Sequence, residues 1–134
     1  KEFWEMLKKL QIKGITILVS TPYMDEAVLC DRVALIQAGK ILDVDTPRKI
    51  TEKYHRRLFQ VRSAEMYRLI NDLKIFKKAG AVFAFGQYVH FTAINDDLEP
   101  AELEVFLAGR SHVNVLIEEI RPGIEDVFIS LMGK

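Results

Sequence analysis

The residues best typed and spaced for chemistry lie together at Ser20-Thr21-Pro22-Tyr23-Met24-Asp25-Glu26-Ala27. Two hydroxyls end an apolar run, and two adjacent carboxylates follow within six residues. Ser20 and Thr21 have the right chemistry to donate to a phosphate or a magnesium ion. Hydroxyls just before a helix more often cap it by accepting backbone N–H groups. Asp25 and Glu26 could form an acid–base pair, but carboxylates at a helix start more simply answer its dipole. Pro22 has neither a side-chain donor nor a backbone N–H. Cys30 has only Arg32 nearby to activate it and reads as a small core residue. As the only cysteine it excludes an intrachain disulfide and fits a reducing cytosol. His55, His90 and His112 lack Cys or His partners at metal spacing. No G-x-x-x-x-G-K-[ST], G-x-G-x-x-G or G-x-S-x-G motif occurs, so the chain carries no phosphate-cradling loop.

The elements that must hold these residues follow from periodicity. Phe3, Leu7 and Leu10, with Trp4 beside them, make a helical stripe that stops near Gly14. The opening reads as an amphipathic helix and not as a leader peptide. Ile15–Val19 is a continuous apolar run rich in β-branched residues and predicts a strand covered on both faces, as in a parallel sheet. Thr21-Pro22 predicts a cap followed by the first helical position, with a helix to about Leu29. Arg32–Gln37 and Lys40–Val44 are predicted strands joined by a turn at Ala38-Gly39. Thr46-Pro47 repeats the cap signal for a helix to about Tyr54.

A second pattern starts beyond His55. It predicts strand Arg57–Arg62, helix Ala64–Lys74, strand Ala81–Phe85, strand Tyr88–Ala93, helix Pro100–Ala108 and strand Val113–Ile120. Gly86-Gln87 suits a two-residue turn of type II′. The order βαββαβ is that of the ferredoxin-like fold. A closing helix after Pro122-Gly123 carries Ile124, Val127, Phe128 and Leu131 on one face. The expected class is therefore α/β, with units at 1–54 and 55–134. Aromatic residues Phe59, Phe83, Phe85, Tyr88 and Phe91 fall on these strands, where RNA-recognition domains stack bases. The segment lacks the basic and glycine positions of that motif, and net charge is zero, so core packing is the better reading and no nucleic-acid partner is expected. No segment reaches the ~20 apolar residues of a membrane span.

The stretch Gly14–Leu42 resembles ATP-binding cassette (ABC) transporter ATPases after their Walker B strand. The resemblance rests on Ser20-Thr21-Pro22-Tyr23-Met24-Asp25-Glu26-Ala27 and on Cys30-Asp31-Arg32 before an apolar strand. Arg121-Pro122-Gly123-Ile124-Glu125-Asp126-Val127-Phe128 is similar to the closing phrase of ABC-2-type exporter ATPases. The resemblance implies that Pro22 occupies the switch-loop position, where the family has a histidine facing the γ-phosphate. It implies a parent that binds ATP and Mg, works with transmembrane permease subunits and a second ATPase subunit, and sits on the cytoplasmic side of the membrane. This chain reads as the C-terminal portion of such a subunit. Alone it is expected to be inactive, to hold no cofactor or metal, and to self-associate through Ile15–Val19. A small-effector-binding regulatory βαββαβ module is the alternative, with RNA binding behind it.

Overall fold

The computed structural model describes residues 1–132; the last two positions of the expected 55–134 unit lie outside the described residues. The protein is a mixed α/β structure with two antiparallel sheets. In chain order the elements are α1 (Glu2–Ile12), α2 (Met24–Ala27), β1 (Val33–Gln37), β2 (Lys40–Asp45), α3 (Pro47–Glu52), β3 (Leu58–Arg62), α4 (Met66–Ile75), β4 (Ala79–Phe85), β5 (Tyr88–Ala93), α5 (Pro100–Gly109), β6 (Leu116–Ile120) and α6 (Ile124–Met132).

The four-stranded sheet has the order β4-β5-β3-β6, with every neighbouring pair antiparallel. Strand alternation sends Phe59, Val61, Val89 and Phe91 to one face. There they meet Leu69 and Leu73 of α4 and Leu103 and Leu107 of α5, all fully buried. Burying such a side chain is worth about 1.5–3 kcal/mol, so this core stabilises the sheet and its two helices as a unit. A capping box helps begin α5: Glu99 and Glu102 exchange side-chain and backbone bonds across Pro100.

A smaller core joins Ala27, Val33, Leu35 and Ile50 to Ile124 and Val127. The last helix thus packs onto elements from the first third of the chain. Thr46 caps α3 as expected, accepting from the Lys49 N–H at 3.2 Å.

The β1–β2 turn uses two positive φ values, 52° at Ala38 and 77° at Gly39. That is the type I′ geometry matched to strand twist. Glycine meets it freely, whereas alanine there costs roughly 1–2 kcal/mol. The Ala38→Asn substitution is expected to stabilise the chain by about 0.5–1 kcal/mol. Thermal melting checks this, and an unchanged or lower midpoint would count against it.

The structure corrects several sequence expectations. Ile15–Val19 is not a strand, parallel or otherwise. A strand needs a hydrogen-bonding neighbour, and none among the described residues pairs with this run; Leu18 is 98% exposed. The helix expected over Pro22–Leu29 is one turn, Met24–Ala27, capped at Tyr23 and not at Thr21. Strand β6 starts at Leu116 instead of Val113, because the chain first turns through Asn114 at φ 55°. Strand β4 starts two residues early, at Ala79, with an irregular register to β5.

Candidate functional site

Ser20, Thr21 and Pro22 lie on the loop between α1 and α2, with Ser20 and Pro22 exposed and Thr21 half-buried. The Thr21 hydroxyl is already engaged on both sides. It donates to Glu26 Oε1 at 2.7 Å and accepts the Tyr23 N–H at 3.0 Å. The second Glu26 oxygen accepts the Trp4 indole N–H at 3.1 Å. Bonds from Thr21 and then Trp4 hold the Glu26 carboxyl below the usual carboxylate range, against the opposing effect of burial. This explains the missing cap. Glu26 reaches back to Thr21 and orients its hydroxyl as a donor, and Thr21 meets the chain through a local turn two residues on. The indole pins α2 to α1, and the hydroxyl pins it to the loop between them.

An open groove of about 930 Å³ flanks this cluster, lined by Trp4, Lys8, Tyr23, Asp25, Glu26 and Leu29 among others. Its charges are of both signs, so it lacks the converging N–H and cationic groups that cradle a phosphate. Pro22 offers no donor of its own. Ser20 beside it is exposed.

Two buried His–Asp pairs escaped sequence reading. His112 Nε2 lies 2.7 Å from Asp72 Oδ2, and its Nδ1 lies 3.3 Å from Ser63 Oγ. Arg110 Nε contacts Asp72 Oδ1 at 2.9 Å. Burial pushes the Asp72 carboxyl up, but the bonds and charges of His112 and Arg110 outweigh it and hold it down. The second pair is His90 Nδ1 and Asp126 Oδ1, 2.6 Å apart. A serine, a histidine and an aspartate in line suggest nucleophilic chemistry. However, all three of Ser63, His112 and Asp72 are buried, and Arg110 takes the remaining aspartate oxygen. The arrangement ties the second half of α4, through Asp72, and the residue after β3, Ser63, to the loop before β6. Sequence spacing hid both pairs, whose partners are 40 and 36 residues apart. The available signal was a carboxylate on an apolar helical stripe: Asp72 between Leu69 and Leu73, Asp126 between Ile124 and Val127. His55 is exposed, and Cys30 is a half-buried free thiol packed against the smaller core.

Of the expected strand aromatics, Phe59 and Phe91 are core residues. Phe83 and Phe85 pack on the other face, around His90. No group of three or more potential metal ligands occurs among the described residues. No helix there is long and apolar enough to cross a membrane.

No protein-family model matches the chain. Curated proteins do. Nod factor export ATP-binding protein I of Rhizobium meliloti (strain 1021) is 32% identical over 133 residues, which is 98% of this chain and 37% of that protein. The chain is a homologue of the C-terminal portion of ABC transporter ATP-binding proteins. The Nod factor export ATP-binding protein I of Rhizobium sp. (strain N33) is 28% identical, again over 98% of this chain and 41% of its own length. The probable multidrug ABC transporter ATP-binding protein YbhF of Escherichia coli (strain K12) is 43% identical over 47 residues, 35% of this chain and 8% of that protein. The chain therefore spans about two fifths of the ABC relatives it matches from end to end.

Proposed function

We propose that this chain is the C-terminal part of the ATP-binding subunit of an ABC exporter, and that it couples nucleotide chemistry elsewhere in the subunit to transport. The observation that carries the reading is the match over 98% of the chain to export ATP-binding proteins. The ordered run Ser20–Asp31 lies within that match and supports it. Residues 1–54 are then the end of the nucleotide-binding domain, from the switch-loop segment onward. Residues 55–134 form a ferredoxin-like accessory domain, a reading supported by the β4-β5-β3-β6 order and the two helices on one face. Pro22 stands at the position that faces the γ-phosphate, with Ser20 and Thr21 beside it. ATP and Mg bind mainly through other parts of the subunit. The partners are transmembrane permease subunits and a second ATPase subunit, which place the protein peripherally on the cytoplasmic face of the membrane.

Calorimetry tests the division of labour. The isolated chain is expected to show no micromolar affinity for Mg-ATP, and the complete subunit is expected to bind it. Tight binding by the chain alone would overturn the assignment.

Self-association is a second expectation. Ile12, Ile15 and Leu18 are 85%, 48% and 98% exposed, and Ile15–Val19 pairs with no strand among the described residues. Such exposed apolar surface favours association. Light scattering should find dimers or larger species at high concentration, and a clean monomer there would refute the expectation.

A further inference from the structure

The His90–Asp126 pair joins the four-stranded sheet to α6. His90 and Asp126 are 4% and 2% exposed. The His90 ring is fixed before Asp126 reaches it. It stacks on Phe85 with centroids 4.0 Å apart and planes 2° apart, and Phe83 lies 5.7 Å away on the same face. Its backbone sits in the register between Gln60 of β3 and Phe83 of β4, so it cannot shift without the sheet. Asp126 uses its other oxygen to accept the Gly123 N–H at 2.8 Å, which fixes the start of α6. One carboxylate thus sets both where α6 begins and how it faces the sheet.

The opposite side of α6 reaches the first third of the chain. Ile124 and Val127 are buried with Ala27 of α2, and Met24, Phe128 and Leu131 pack around them. Because α2 is a single turn, it has little rigidity of its own. Its position is decided by this packing on one side and by the Glu26 bonds to Thr21 and Trp4 on the other. The loop bearing Pro22 runs directly into it.

We propose that Asp126, clasped by His90, is a positioning residue that seats α6 and thereby sets α2 and the Pro22 loop. The accessory sheet then controls the geometry of the switch-loop segment through one buried hydrogen bond and one helix. The link to nucleotide hydrolysis rests on the function proposed above, whereas the mechanical coupling stands on this chain's contacts alone.

The test exploits the single tryptophan of the chain, Trp4. Its indole N–H bonds to Glu26 on α2, so its ¹H–¹⁵N resonance reports on α2 from outside the accessory sheet. The experiment uses the isolated 134-residue chain, without nucleotide. His90→Leu removes the donor to Asp126. The expected result is a shift of the Trp4 indole signal beyond its linewidth, with the amides of β6, which does not border β5, unchanged. His90→Asn keeps an N–H donor near the Nδ1 position and is expected to return the indole signal towards its wild-type place. A role confined to local packing would leave the indole unmoved by His90→Leu while β5 and α6 amides shift, and that outcome overturns the proposal. Equal displacement by His90→Leu and His90→Asn overturns it too, because the hydrogen bond is then irrelevant. Should His90→Leu fail to fold, Asp126→Asn provides the same reading: a displaced indole signal supports the coupling and an unmoved one refutes it. No ATPase measurement enters, so failure here is distinct from failure of the functional assignment.

Discussion

The Pro22→His substitution in the complete subunit is expected to raise ATPase turnover by about 10-fold or more, with the KM for ATP little changed. The expectation takes the proposed place of Pro22 facing the γ-phosphate and rests on where the contact that proline lacks would act. Nucleotide affinity comes chiefly from a phosphate loop, a metal and base stacking, none of which this segment supplies. A donor aimed at the γ-phosphate acts where charge develops during transfer, and loss of one such donor typically costs about 10²–10³ in rate. Only part of that is recoverable in a subunit built around proline. The substitution is structurally mild. Pro22 is exposed and lies before the helix, since α2 begins at Met24 with Tyr23 as its cap. The bonds that shape the loop run between Thr21, Tyr23 and Glu26 and do not involve Pro22. An exposed change of this kind alters stability within about 0.5 kcal/mol. Steady-state kinetics of both proteins decide. Unchanged or lower turnover in a folded, ATP-binding Pro22→His subunit would show that this position does not limit hydrolysis.

Most elements were legible because their signals are local. Strand alternation and helical stripes marked all six elements from β3 to β6, and Thr46-Pro47 marked α3. The failures have a common cause in tertiary partners. Ile15–Val19 has a strand's composition, but pairing is a property of two segments and periodicity reads only one. The Thr21-Pro22 cap signal was overridden by a competitor five residues on: Glu26 bonds the Thr21 hydroxyl, and the helix starts at Met24. In the site, the positions of Ser20, Thr21 and Pro22 on one loop were readable from adjacency. That Thr21 would be engaged by Glu26, and Glu26 by Trp4, was not, because Trp4 lies 22 residues away. Buried His–Asp pairs are harder still. Their sign was an acidic residue on an apolar stripe, which a helix-dipole argument explains equally well for Asp126. Indeed Asp126 does serve its own helix start through Gly123, and serves the sheet with its other oxygen.

The Phe91→Ala substitution is expected to cost about 3–5 kcal/mol of stability. Phe91 is fully buried on the central strand β5, opposite Phe59 on one side and Val82 on the other. Its ring lies 6.2 Å from that of Phe76, centroid to centroid. Truncation removes the apolar contacts and leaves a void that a sheet with fixed register cannot close, so both the transfer and cavity penalties apply. A domain of ordinary stability holds only about 5–15 kcal/mol in total, so the variant should sit near its unfolding threshold. With a urea m-value of about 1–3 kcal/mol per M, the midpoint should fall by at least about 1 M. Two probes make the result informative about the whole chain. Far-UV circular dichroism follows all the secondary structure, and Trp4 fluorescence follows the α1–α2 cluster. Helix α6 belongs to the same smaller core as Ala27, yet is bonded to the sheet through His90. Its loss must therefore weaken both cores. Both midpoints are expected to fall together in Phe91→Ala. A fluorescence midpoint that stays at the wild-type value while the circular dichroism midpoint falls would mean that the two cores melt independently, with α6 contributing nothing across the junction.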